Sequence, residues 1–390
     1  MDYNHQTIIY VLTACKNDDA GDLVAIGGEH SVQVLLVKET GCESLAAFHI
    51  GSRITAIAWS PKTVSPSSSD NWVIELAAAG VDYGLHLLTK LPKDEENIFH
   101  FGGGLSGHHG KVNDMCFGGG RGSDASRYIA TVSGNPFDSS VYFLPLTLCP
   151  DDKMLMVWNL LPSVDTASML VSPVAHSGTA SPPPRAQPTA YVIAFPHSLT
   201  SINSHPSTSK EFLVSDCKGS LFLTDWRSDP DDPDQDSWHN SSLVELVEPH
   251  ALSEASLGRS LQWSGSVAWQ RDSANIVGAV YGSKFSIWDL SKLQGGKPLT
   301  AGNSFPEGGD KFRWCYTYPD YFAISTQSPS KGALIHVHNL SYVHAQPEIF
   351  TVASRPHLVR DFDFLGLRGI PRLAVAVART VVIFPIGVEP

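Results

Sequence analysis

Seven times along the chain a short apolar run rich in β-branched residues is partnered by a second such run a little further on, and few folds are compatible with that recurrence. The pairs are DLVAIGG with SVQVLLV, WVIELAAAG with GLHLLTK, YIATVS with MLMVWNL, EFLVSD with SLFLTDW, NIVGAVYG with KFSIWDL, YFAISTQ with ALIHVHNL, and RLAVAVA with TVVIFPI. Gly, Pro, Asp and Ser bound the runs and helical periodicity is almost absent, so they are expected to be strands joined by turns. A further strand precedes most pairs (ITAIAWSP, KVNDMCF, SLTSINS, SGSVAWQ, DKFRWCY, LVRDFDF), and QTIIYVLTAC plays that part for the first. Another follows several of them (SLAAFHI, YVIAFPH, SLVELVE, EIFTVAS). Four strands repeated seven times, mostly at steps of roughly 45 to 55 residues, predict an all-β, seven-bladed β-propeller occupying residues 1–390 as a single domain.

Two steps are longer than a blade needs and imply insertions. Residues 161–188 are rich in Pro, Ser and Ala and are expected to be a disordered loop, while residues 227–242 form an acidic loop followed by a short helix in ALSEASLGRSLQ. A third insertion, GNPFDSSVYFLPLTLCP at 134–150, separates YIATVS from MLMVWNL where a tight turn is expected. Either an extended loop, tolerated because closure entropy grows slowly with length, or a retained intron accounts for it. The intron is the preferred reading, since Gly-Asn can be written with a GTAA donor, Leu-Thr with a CTAAC branch site and Pro-Asp with a CAG acceptor; the transcript sequence decides between them.

A buried indole N–H requires an acceptor, and a linked set of polar side chains can satisfy several such groups together. The third repeat supplies a complete set for the hydrogen-bond chain of WD-type blades: His108 after Gly107, Thr131, Asp152, and Trp158 six residues later. The fifth keeps only the end of that pattern, Trp288 and Asp289 in IWDL. A structural role for His108 is preferred over a role as base or ligand. His108 with His109, and His336 with His338, lack acidic or Cys partners nearby in sequence, so no metal site is expected. The Gly-rich stretches FGGGLSG and FGGGRGSD lack the GK[ST] ending of a phosphate loop and are expected to be turns between blades. With no GxSxG elbow and no clustered carboxylates, the chain is expected to have no catalytic residues and no cofactor.

A net charge of −12 with only 27 Lys and Arg offers no basic field for phosphates, so direct nucleic-acid binding is not expected. Six Cys without a CxxC pair speak against a zinc site or disulfide framework and fit a reducing compartment. No run of 18 apolar residues and no signal-peptide pattern occurs, so no membrane insertion is expected.

Several segments taken in order, HIGSRITAIAWSPKT, SGHHGKVNDMCF, DDKMLMVWNL, NIVGAVYGSKFSIWDLS and FRWCYTYPDYFA, resemble the small WD40 nucleoporin, of the thirty-seven-kilodalton type, found in the Y-shaped scaffold complex of the nuclear pore. The resemblance runs from about Leu23 to Phe384. It implies a non-catalytic monomer within a hetero-oligomer at the nuclear envelope. Its chief partner would be the long helical-stack nucleoporin of one Y arm, and its role support of protein and mRNA transport. The alternative is a WD40 adaptor or substrate receptor in a ubiquitin ligase or chromatin complex. One departure concerns ring closure: no outer strand follows TVVIFPIG, so either residues 1–6 supply a stub, the last blade is incomplete, or the chain begins too late.

Overall fold

In the computed structural model, which describes residues 1–104, 107–134, 152–160, 188–227, 243–247, 265–293 and 296–387, all seven paired runs are neighbouring strands. With the strands numbered β1–β28 in chain order, they make seven four-stranded sheets, the blades of a propeller. Blade 3 is representative: β10 (Val112–Phe117), β11 (Tyr128–Ser133), β12 (Met154–Asn159) and β13 (Thr189–Ala194) run from the axis outward, with Val132 opposite Leu155. The expected third pair therefore forms although residues 135–151 separate its strands.

Burial follows position in the blade. The second strands are the most buried: β3 (Leu23–Gly27) and β11 are buried at every residue, and the other five at all but one. Blades stack face to face and cover both sides of these strands, so they appear in sequence as unbroken apolar runs rather than as alternation. Outer strands are half-covered, and β13 exposes Tyr191 and Val192. The core is accordingly divided into seven clusters, one at each junction of neighbouring blades. Between blades 5 and 6, Phe285, Phe312, Trp314 and Phe322 pack together; between blades 2 and 3, Phe101, Met115, Phe117 and Trp158 do.

The ring closes through the N-terminus. Strand β1 (Asp2–Asn4) pairs antiparallel with β28 (Thr380–Pro385), placing Asp2 opposite Val382, and the Met1 amino group donates to the Ile383 carbonyl at 2.8 Å. Of the three alternatives, residues 1–6 as the missing strand is the one observed, and the last blade has its four strands. A last strand that would otherwise be a bare edge is thereby paired.

Two outer strands escaped the sequence reading, β9 (Asn97–Gly102) and β21 (Thr300–Asn303). An outer strand needs only one sheltered face, and TAGN carries no apolar pattern at all. FGGGLSG does end blade 2 and lead to blade 3, but FGGGRGSD joins β10 to β11 inside blade 3 and holds a 3-10 turn, Ser123–Ser126. The second stretch is thus a connection within a blade. Apart from Gly134, Arg227 and Pro188, the insertions expected at 134–150, 161–188 and 227–242 lie outside the described residues, as does the short helix expected at 251–262.

Candidate functional site: the buried chain of blade 3 and the central channel

The structure brings His108, Thr131, Asp152 and Trp158 together. His108 lies on the connection between β9 and β10, Thr131 on β11, Asp152 just before β12, and Trp158 on β12. The Trp158 indole Nε1–H donates to Thr131 Oγ1 at 3.0 Å, Thr131 Oγ1 lies 2.7 Å from His108 Nε2, and His108 Nδ1 lies 2.9 Å from Asp152 Oδ2. One assignment of protons satisfies every link: the Thr131 hydroxyl donates to Nε2 and the imidazole donates from Nδ1 to the carboxylate. Asp152 Oδ2 also accepts from the His109 backbone N–H at 2.9 Å. Burial pushes the Asp152 carboxyl up, but the hydrogen bonds from the His108 imidazole and the His109 N–H outweigh it and hold the group below its ordinary range.

Thr131, His108 and Asp152 have the spacing of a nucleophile, base and orienting acid, so access decides what they can do. Thr131 is 0% exposed, His108 is 1% exposed, and the indole already occupies the Thr131 oxygen. No substrate can approach that hydroxyl. What the arrangement does is link four buried polar side chains where blade 3 meets its neighbours, leaving Asp152 Oδ1 as the one oxygen of the set without a partner among the described residues.

In blade 5 the remaining pair behaves differently. Trp288 on β20 (Lys284–Asp289) is fully buried, but its indole donates to the Gly296 carbonyl at 3.0 Å, while Asp289 caps the following turn by accepting from Ser291 N–H. His336 and His338, on β24 (Ala333–Asn339), pack among rings: His336 stacks on Phe305 at 3.8 Å between centroids, and His338 on Phe322 at 5.0 Å. Burial, with repulsion from His336, lowers the pKa of His338 to about 4. Among the described residues, no three His, Cys, Asp or Glu side chains are placed to hold a metal ion, and no helix is long and apolar enough to cross a membrane.

The residues that sequence reasoning missed line the axis. The inner strands enclose a channel of about 480 Å³, and the edge each turns toward it has N–H groups without a sheet partner. Side chains of the preceding blade accept from them. Asp114 Oδ2 accepts from Ile202 N–H at 3.0 Å, Asn203 Oδ1 from Trp269 N–H at 2.9 Å, and Ser266 Oγ from Phe312 N–H at 3.1 Å. Across the closing junction, Asp361 Oδ2 accepts from Leu12 N–H and Asp363 Oδ2 from Ala14 N–H, both at 3.0 Å. Indoles take edge carbonyls in return: Trp59 donates to Thr13 O and Trp314 to Ala268 O, each at 3.1 Å. The available signal was the polar or Trp residue set at alternate positions in VNDMCF, SINS, FRW and RDFDF, within strands that otherwise look like ordinary core.

The two mouths of the channel differ. At the mouth where the inner strands end, one carboxylate gathers groups from across the ring. Asp18 of blade 1 accepts from Arg121 of blade 3 at 3.1 Å and from Arg271 of blade 5 at 2.9 Å, and the Tyr316 hydroxyl of blade 6 lies 3.1 Å away. The Arg271 guanidinium also stacks 3.8 Å over the Tyr316 ring. Arg271 holds the Asp18 carboxyl below its ordinary value. Deeper in, Lys16 pairs with Asp363 at 2.8 Å and Arg313 with Asp361 at 3.7 Å. At the mouth where the inner strands begin stand Lys111, Lys311 and Arg360.

No protein-family model matches the chain. The chain is similar to nucleoporin Nup37 of Mus musculus, with 23% identity over 341 residues, covering 85% of this chain and 81% of the mouse protein. It is also similar to nucleoporin Nup37 of Homo sapiens, with 24% identity over 344 residues and the same coverage, 85% and 81%. Among solved structures, Raptor of Chaetomium thermophilum matches all of this chain with 29% of its own length, at TM-score 0.63 and 13% identity, a likeness of fold alone. Sequence likeness over most of the chain and the seven-bladed ring are both consistent with a Nup37-type WD40 nucleoporin.

Proposed function

We propose that this chain, similar to Nup37 over 85% of its length, is a non-catalytic scaffold subunit of the outer ring of the nuclear pore. In this reading it docks on the long helical-stack nucleoporin of a Y-complex arm and supports protein and mRNA transport indirectly, by holding partners in fixed geometry. The similarity to Nup37 is the observation that supports it most. The geometry is compatible: a closed ring of blades is a rigid disc with several separate surfaces, and its most enzyme-like constellation, Thr131, His108 and Asp152, is sealed from solvent.

Localisation and capture test the reading together. The tagged full chain is expected to mark the nuclear rim and to bring down scaffold nucleoporins from nuclear envelopes. Diffuse localisation, or recovery with ubiquitin-ligase or chromatin subunits in their place, would sink it.

A further inference from the structure

We propose that the channel mouth where the inner strands begin binds a compact, multiply charged phosphate compound on the propeller axis, held by Lys111, Lys311 and Arg360. These side chains come from blades 3, 6 and 7, so they converge on the axis from separate sides of the ring and do not line a groove on one blade. Lys111 and Arg360 reach solvent and Lys311 is partly covered. Their backbones bond within the ring, Lys111 O accepting from Gly134 N–H and Lys311 O from Ser325 N–H, while none of the three side chains forms an ion pair or hydrogen bond with another described residue.

Three carboxylates, Asp310, Asp361 and Asp114, lie close enough for their charge to act on Lys311, but each has hydrogen-bond partners of its own; Asp114 accepts from Ile202 N–H at 3.0 Å. Asp310 accepts from Gln327 Nε2 at 2.9 Å, and Asp361 accepts the Leu12 N–H and faces Arg313. Asp361 and Asp310 offset the burial of Lys311 and keep it charged. Lys111 is not so favoured: although it reaches solvent, crowding at the mouth costs it part of its hydration, and Lys311 and Arg53 add like-charge repulsion that outweighs Asp310, so its pKa falls. An anion between these groups would relieve that repulsion and form charge-assisted hydrogen bonds. The opposite mouth is tied across by the Asp18, Arg121 and Arg271 cluster, which favours a compact ligand entering from one side over a threaded chain.

Titration calorimetry of the full chain with inorganic tripolyphosphate tests this. We expect one saturable site that Lys111→Gln weakens about tenfold, the scale of one lost charge-assisted contact, and that Lys111→Arg largely retains. Lys93→Gln, at an exposed turn residue of blade 2, should leave the affinity unchanged. Thermal melting without ligand should show Lys111→Gln at least as stable as the native chain, because its charge is disfavoured there; this separates lost binding from lost folding. Absence of saturable heat would overturn the proposal, as would equal weakening by Lys93→Gln. So would a phosphoserine peptide that binds more tightly than tripolyphosphate with the same Lys111 dependence, since the ligand would then be a partner's peptide.

Discussion

Single side chains in this protein matter through what they leave unsatisfied when removed. Thr131 accepts from the Trp158 indole and sits within hydrogen-bond distance of His108, with all three buried. Thr131→Val keeps the volume but orphans the indole N–H and His108 Nε2, and each buried orphan costs about 1–3 kcal/mol. Denaturant unfolding should show a loss of about 2–4 kcal/mol; no measurable loss would mean the chain contributes nothing to blade 3. His338 carries a pH dependence. Its pKa falls from 6.5 to about 4 on folding, through burial first and then His336. Its contribution is complete above pH 6.5 and is lost as pH falls toward 4, because the unfolded chain takes up a proton that the folded one refuses. Stability should therefore drop between about pH 7.5 and pH 5, and His338→Phe, which keeps the ring against Phe322, should make that drop about 2 kcal/mol smaller. An unchanged drop would remove His338 from the account. The blade 3 residues were visible in sequence because the Asp-to-Trp spacing survives within one hairpin. Trp288 shows the limit of such reading, since its actual acceptor is a backbone carbonyl, which no side-chain motif records.

At the scale of elements, the fold depends on where strand edges go. The second and third strands were legible because burial on both faces leaves a continuous apolar trace. Strands β9 and β21 were not, because an outer strand is held by its ladder to one neighbour and needs no pattern of its own. Glycine marks one close approach: a Cβ on Gly278 of β19 (Ile276–Tyr281) would fall 2.4 Å from Phe312 Cζ, so the inner aromatic of blade 6 fits only because that position is bare. The element most open to test is β1, three residues that cover the β28 edge. Deleting residues 2–6 should lower the melting temperature and leave β28 free to pair with other chains. Size-exclusion chromatography should then show self-association, and a monomer of native stability would show that the closing strand is dispensable.

For the molecule as a whole, the recurrence of paired runs determined that the chain is all-β, that it has seven blades, and which strands form the middle of each. These are consequences of short unbroken apolar runs and of the turn spacing between them, which burial on both faces writes along the chain. Tertiary structure alone decided the rest. Asp361 reaches Leu12, and β1 reaches β28, only because the ring brings the two ends of the chain together. Asp114, Asn203 and Ser266 became links between blades because the axis leaves backbone N–H groups in need of acceptors. Lys111, Lys311 and Arg360, scattered through an acidic sequence, became lining residues of one channel at the axis. Net charge is a sum over the whole chain and is blind to position. Closing the ring converts distant residues into neighbours, and no local periodicity encodes that.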